Sequence, residues 1–254
     1  MEKETMNGKD LALKGKVGVV TGAGIGIGKA IALIYAKAGA SVCCVSRTES
    51  EIDATIKEIE NIGGRGLAVR ADVTDFASME EVFKKASDTF GGIDILVINA
   101  GVHLDRRSVE DSVLEDWRTT VEVNLFGAYY CAKAAIPYLK QRGAGKIITM
   151  GSGVGHRGHI ASSAYAASKA GLWSLTTVLA QELWPYKITV NELIPGPVRT
   201  SLTAEQEDNR HHVFQIESEW IKTPDDVAPL ALFLATQPDV GPTAQSFSLM
   251  RRPK

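Results

Sequence analysis

An unbroken apolar run, Val17-Gly18-Val19-Val20-Thr21, passes directly into Gly22-Ala23-Gly24-Ile25-Gly26-Ile27-Gly28, and a helical pattern follows. A short β-branched run, a glycine-rich turn and then a helix fix the opening of this chain as strand, tight turn, helix. The same cycle then repeats. Strands are predicted over Lys16–Thr21, Ser41–Ser46, Arg65–Arg70 and Ile93–Ile98, with helices Gly28–Ala38, Ser50–Ile62 and Ser78–Phe90 between them. Gly39 and the pair Gly63-Gly64 stop the first two helices, as C-terminal glycines do. Further on come a long helix around Asp116–Gln141, strand Lys146–Gly151, a long helix Ala164–Leu183 and strand Ile188–Ile194. A looser polar stretch, Thr200–Lys222, precedes the helix Pro224–Ala235 and a last strand near Ala244–Leu249.

Continuous apolar strands separated by helices imply a parallel sheet covered on both faces, an α/β doubly wound fold in three layers. No linker or fixed-period repeat divides the chain, so a tail over residues 1–12 and one domain over 13–254 are expected, with 200–222 as a substrate lid.

Composition removes several function classes. The 254 residues carry 28 Lys+Arg against 30 Asp+Glu, a net charge of −2, which gives no electrostatic reason to bind nucleic acid or an anionic membrane. No apolar run approaches the ~18 residues that span a bilayer. Cys43, Cys44 and Cys131 form neither a disulfide framework nor a metal motif, and no His pattern suggests a metal. The charged N-terminal residues show no signal peptide, so a reducing, cytoplasmic location is expected.

Two features carry chemistry. The glycine turn lets the backbone approach a phosphate, and the following helix aims its free N–H groups at it. Its spacing is T-G-x-x-x-G-x-G over Gly22, Gly26 and Gly28; such turns also serve methyltransferases and flavoproteins. Later, Tyr165 and Lys169 lie one helical turn apart, so the ammonium can lower the phenol's pKa and suit Tyr165 to proton transfer. Ser152, thirteen residues earlier at a strand's C-terminal end, can hold the same substrate oxygen. Each has a plainer alternative: a solvated Tyr–Lys pair, a turn serine, a packing amide at Asn124, a turn cap at Asp72.

Taken in order, the glycine turn, Asn99-Ala100-Gly101, Asn124, Ser152 and Y-x-x-x-K resemble the compact, single-domain short-chain dehydrogenase/reductases, from about Leu13 to Leu249. The resemblance implies a Rossmann-like fold and an oxidoreductase moving hydride between nicotinamide and a carbonyl or secondary-alcohol carbon. It implies Tyr165 as acid/base and Lys169 beside it, bonded to the nicotinamide ribose. Ser152 would hold the substrate oxygen and Asn124 a water in a proton relay to Lys169. It also implies cofactor contacts from Gly22, Gly26, Ile27 and Gly28. Asn99, Ala100 and Gly101 would lie beside the adenosine ribose, and Asp72 and Val73 at adenine. Pro195, Gly196, Val198 and Thr200 would lie at the carboxamide. A homotetramer (or homodimer) through helices 116–141 and 164–183 is implied as well.

Strand two ends Val45-Ser46-Arg47-Thr48, with no carboxylate at Ser46 to repel a 2′-phosphate and an Arg to receive it. NADP(H) is therefore expected in preference to NAD(H), although Ile25 stands where many NADP-using relatives carry a basic residue. Substrate contacts are expected from Val154, His156, Arg157 and His159, and from Leu202, His211, His212 and Phe214. The C-terminal Phe247-Ser248-Leu249-Met250-Arg251-Arg252 departs from the family's V-D-G-G and leaves that subunit contact open. An NAD-dependent alcohol dehydrogenase, a cofactor-sensing protein without catalysis, and a methyltransferase are the alternatives.

Overall fold

The computed structural model describes residues 11–204 and 220–250. The tail's first ten residues, His211, His212, Phe214, Arg251 and Arg252 lie outside the described residues.

Seven strands form one parallel sheet in the order β3-β2-β1-β4-β5-β6-β7: β1 Val17–Thr21, β2 Ser41–Ser46, β3 Arg65–Arg70, β4 Ile95–Ile98, β5 Gly145–Met150, β6 Ile188–Ile194 and β7 Ser246–Ser248. The order reverses direction between β1 and β4, the point at which a doubly wound sheet opens a crevice for ligand. β1, β4, β5 and β6 are buried along their whole length, as a two-sided sheet requires.

Helices cover both faces: α1 Gly26–Lys37, α2 Glu49–Asn61, α3 Phe76–Phe90, α4 Leu114–Val121, α5 Gly127–Arg142, α6 Gly153–Arg157, α7 Ser163–Leu183, α8 Ser201–Ala204 and α9 Pro224–Ala235. Two apolar cores result. One joins α3, α5 and α7 to the sheet through Phe83, Leu139 and Leu172. The other joins α1 and α9 through Ile31, Tyr35 and Ala231, where the buried Tyr35 hydroxyl donates to the Ala231 carbonyl at 3.0 Å.

Local signals explain the boundaries. Asp75 caps α3 through the Ala77 N–H, so that helix begins at Phe76, two residues before the predicted Ser78. Pro224 opens α9 behind a Thr223–Asp226 capping box. α1 begins at Gly26, not Gly28, because the glycine turn already winds into the helix. The long helix predicted over 116–141 is three pieces: α4, a five-residue π turn at Glu122–Phe126, and α5. β4 starts two residues later than predicted, and just before it Asp94 is tied to the start of β1 twice: its N–H donates to the Val17 carbonyl and its carboxylate accepts the Val17 N–H, each at 2.9 Å. β7 is three residues long; Ala244, expected to open it, has φ +57.

Candidate active site

All seven strands run the same way, so their C-terminal ends form one rim, and the predicted site residues lie along it. At its centre is the turn after β1. Gly22 and Gly26 have φ of +65° and +58°, conformations that L side chains rarely adopt. Gly28 is required for a different reason: a Cβ there would stand 2.2 Å from the Gly22 carbonyl oxygen. Ile25, before α1, offers no side-chain cap, so the first-turn N–H groups of α1 have no side chain of that residue to meet them.

Asn99 staples this turn to β4. Its amide donates to the carbonyls of Thr21 at 2.9 Å and Gly22 at 3.2 Å. Thr21 Oγ1 in return accepts the N–H groups of Asn99 and Ala100 at 3.0 and 3.1 Å. Thr21 is the threonine that opens the T-G-x-x-x-G-x-G pattern, and its hydroxyl joins the two strands flanking the crevice.

One cleft runs along the rim, and Gly22, Gly26, Ile27, Ser46, Arg47, Asp72, Val73, Asn99, Ala100, Gly101 and Thr200 all line it. Gly28 lies behind this surface as a packing glycine. Val198 is 4% exposed, its side chain turned into the core and its backbone bridged to Lys222. Gly196 has φ +70° and packs by Met250 and Lys222. The glycine cradle, unfilled by any Cβ, and the open start of α1 suit the diphosphate of a dinucleotide.

Around Ser46 the expectation needs correcting. The sequence places no carboxylate at the end of β2, but Glu51, on the first turn of α2, lines the cleft beside Ser46. A side chain at Gly24 would begin 2.8 Å from its Oε2 and 3.5 Å from Ser46 Oγ. Helical spacing carries Glu51 back over the strand end, which reading the strand alone misses. Arg47 leans toward Asp72, Nη1 to Oδ2 at 3.9 Å, while Asp72 Oδ1 accepts from the Thr74 N–H and hydroxyl.

Farther along the rim, at the end of β5, Ser152 caps α6, its Oγ accepting the Val154 N–H at 3.2 Å. Tyr165, on the first turn of α7, has Ser152 as a close neighbour that favours its ionised form. Lys169, 4% exposed, donates to the Met150 carbonyl at 2.8 Å, its Nζ 5.7 Å from the Tyr165 ring centroid. Burial pushes the Tyr165 phenol above its usual value, and the Ser152 hydroxyl and the Arg106 charge pull against it. The lowering expected from Lys169 is not what opposes burial here; Ser152 and Arg106 are the opposing groups. Lys169 itself is pushed down to about 8 by burial, with the Glu192 carboxylate opposing.

Asn124 lies in the π turn, where such turns often place functional side chains. Its Oδ1 accepts the Val102 N–H at 2.8 Å, and its Nδ2 donates to the Val102 carbonyl at 2.9 Å and Ser168 Oγ at 3.0 Å. It therefore clamps the loop after β4 to α7, the packing role its sequence also allowed.

Two candidate substrate residues change character. His156, expected as a substrate contact, is on α6 and pairs with the buried Glu192 at 2.9 Å. Arg157 reaches Met250 Sδ at 3.7 Å, and His159 bonds the neighbouring Ile160 carbonyl at 2.7 Å. Val154 and Leu202 take no hydrogen-bonding side-chain part; Leu202 lines the cleft and its carbonyl accepts from Arg106 at 2.8 Å. His103, which no motif marked, stacks on Tyr165.

Residues 16–211 match the family model for short chain dehydrogenase. The chain is a short-chain dehydrogenase/reductase. A 3-oxoacyl-(acyl-carrier-protein) reductase of Thermotoga maritima is 35% identical over 228 residues, 89% of this chain and 92% of that protein. The trans-4-hydroxycyclohexanecarboxylate dehydrogenase of Sinomonas cyclohexanicum is 40% identical over 195 residues, 74% of each. A solved short-chain dehydrogenase/reductase from Mycobacterium marinum superposes with a TM-score of 0.88 at 32% identity, covering 95% of this chain and 96% of its own. Within the short-chain dehydrogenase/reductases, then, the reaction class carries over more readily than the molecule acted upon.

Proposed function

We propose that this chain transfers hydride between NADP(H) and a carbonyl or secondary-alcohol carbon, with Tyr165 exchanging the proton. One observation carries the reading: Ser152 stands close enough to Tyr165 to favour its ionised form, and Lys169 lies a turn along with its ammonium fixed on Met150. That arrangement supports a reading in which two hydroxyls meet one substrate oxygen and a cation steadies phenolate.

In reduction, Ser152 donates to the carbonyl oxygen while Tyr165 gives up its proton to the same oxygen. Lys169 stabilises the phenolate left behind, and Asn124 keeps the loop beside it in place. When bound, the nicotinamide supplies the hydride. Gly22, Gly26 and Ile27 would hold the diphosphate, with Gly28 packing the turn from behind, and Ser46 and Arg47 the 2′-phosphate. Asp72, Val73 and Asn99–Gly101 would flank the adenosine, and Pro195, Gly196, Val198 and Thr200 the carboxamide. Glu51 favours a second reading, because a carboxylate beside Ser46 suits an NAD ribose hydroxyl better than a phosphate.

Exposed Phe126, Tyr129, Trp173 and Val178, on the π turn, α5 and α7, support assembly into a homotetramer through those helices. Three free, buried cysteines suit a cytoplasmic setting, and no helix among the described residues is long and apolar enough to cross a membrane.

Tyr165→Phe tests the reading, with ethyl acetoacetate and NADPH as probes. NADPH binding should persist while turnover falls by about 10²–10⁴. Turnover close to that of the parent chain would reject Tyr165 as the proton donor.

A further inference from the structure

Glu192 sits on the fifth position of β6, 1% exposed, with no counterpart among the groups used so far. It pairs across the sheet with Thr149 of β5 and Ser246 of β7. One oxygen, Oε2, is engaged by His156 Nε2 at 2.9 Å and by the Ser246 hydroxyl. The other, Oε1, is buried without a hydrogen-bond partner. A carboxylate left half-satisfied in a core costs free energy, so its position needs a reason.

Its surroundings supply one. The Glu192 carboxylate packs on Gly151 so closely that a Cβ there would fall 2.0 Å from Oε1. Gly151 joins Met150, whose carbonyl holds Lys169 Nζ at 2.8 Å, to Ser152, the neighbour of Tyr165. His156 belongs to α6, the helix capped by Ser152, and its ring packs on Trp173 of α7 with centroids 5.0 Å apart. α6 also lies against Lys169 itself, because a Cβ on Gly155 would meet Lys169 Cβ at 2.8 Å.

We propose that Glu192, held by His156 and Ser246, is a positioning residue that keeps Lys169 in its ammonium form and fixes the helix carrying Ser152. The inference rests on the dehydrogenase reading of Ser152, Tyr165 and Lys169. Burial of Lys169 works against its charge, and the Glu192 carboxylate is the opposing group. Among the described residues, Tyr165 on α7 lies beside Lys169, Arg106 and His103 from the loop after β4 act on that tyrosine, and His156 on α6 is paired to Glu192 itself. Thr149, the β5 partner of Glu192, is occupied with Thr176 at 2.8 Å and carries no charge.

The ionisation of Lys169 can be read without substrate or cofactor. Acetic anhydride labelling across pH, followed by mass spectrometry of the peptide containing Lys169, gives its midpoint directly. In the parent chain this midpoint should lie near 8. Glu192→Gln keeps the shape and removes the charge, so the midpoint should fall by about one pH unit. Glu192→Asp retains the charge but draws it back by one methylene, so its midpoint should lie between the two. A midpoint unmoved in Glu192→Gln overturns the proposal. Should that variant not fold, an unmoved midpoint in Glu192→Asp does the same. Ethyl acetoacetate reduction by the folded variant gives the second readout: kcat should fall at least threefold at pH 8 and recover toward pH 6.5, with NADPH affinity kept. A kcat loss of equal size at both pH values would overturn the link to Lys169. Failure of Tyr165→Phe to lose turnover would reject the dehydrogenase reading while leaving the Lys169 midpoints to be judged separately.

Discussion

The rings of His103 and Tyr165 stack with centroids 4.5 Å apart and planes inclined by 17°. His103 Nε2 is buried without a hydrogen-bond partner, and burial first, then the charges of Arg106 and His159, push the imidazole down to about 4. A neutral ring is therefore the lid on one face of the tyrosine, and it resists being charged.

That has a consequence for acid stability. Unfolded His103 takes up a proton near pH 6.5, while the folded ring does so only near 4. Between those values the unfolded chain binds more protons, so stability is lost as pH falls through the window. His103→Phe keeps an aromatic stack and removes the titration. Its urea midpoint, relative to the parent chain, should improve progressively from pH 6.5 to pH 4. A constant difference across that range would show that His103 does not titrate as its burial implies.

Lys169 works in the opposite pH range. Holding an ammonium 4% exposed moves it from 10.5 to about 8, equivalent to about 3 kcal/mol of cost while the folded group stays charged. The cost is fully present below pH 8 and is relieved between 8 and 10.5, where the unfolded chain alone keeps its proton. Lys169→Met, similar in volume and uncharged, should thus be more stable than the parent at pH 7 by about 1–2 kcal/mol. Denaturant unfolding at pH 7 and pH 9.5 should show that advantage shrinking at the higher pH, in an enzyme that has lost turnover. An advantage that is absent at pH 7 would mean that Lys169 is better solvated by its neighbours than its burial suggests.

Much of this was readable from the residues because local rules and global topology agree. Strands β2, β3 and β6 and helix α9 fall on their predicted residues, since each is bounded by a glycine, a proline or a clear change in pattern. The π turn was hidden because the residues Glu122–Phe126 keep helical periodicity on either side, and one extra residue per turn leaves no mark in composition. In the cleft, motifs defined by sequence neighbours were legible: Gly22, Asn99, Ser152 and Tyr165 all reach the same rim. Glu51, His103 and Glu192 were not, because each matters through a partner far away in the chain. Glu192 in particular stands in an apolar strand, where only its contacts with His156, Ser246 and Gly151 reveal why a carboxylate is tolerated.

The opposite end of the strands is held by charge and takes no part in the cleft. Asp94 accepts from Val17 N at 2.9 Å and from Arg142 at 3.1–3.2 Å, with Lys16 at 3.6 Å. It fastens the beginnings of β1 and β4 to the last turn of α5. Asp94→Ala strands the Val17 N–H and the partly exposed guanidinium, so a loss of about 2–3 kcal/mol is expected. NADPH affinity measured by fluorescence should stay within twofold of the parent value at temperatures where the variant is folded. A larger loss of affinity would mean that the two ends of the sheet are mechanically linked.

Cofactor choice comes down to two side chains of opposite sign at one end of the cleft. Arg47 is 64% exposed, its nearest acidic neighbour 3.9 Å away, so its guanidinium can turn to a 2′-phosphate at little cost. Glu51 faces the same space from α2 and would repel that phosphate while accepting a hydroxyl. Charge-assisted hydrogen bonds contribute about 1.5–3 kcal/mol, so Arg47→Ala should weaken NADPH by roughly 10–100-fold and leave NADH within threefold. Glu51→Gln should act in the other direction, tightening NADPH by about tenfold or less and weakening NADH. Nicotinamide fluorescence titrations of both cofactors with the parent and the two variants measure all six affinities. If Arg47→Ala weakens both cofactors equally, Arg47 is shaping the loop through Asp72 and is not reading the phosphate. If Glu51→Gln instead weakens NADH alone and the parent prefers NADH, then Glu51 decides the cofactor and the enzyme uses NAD.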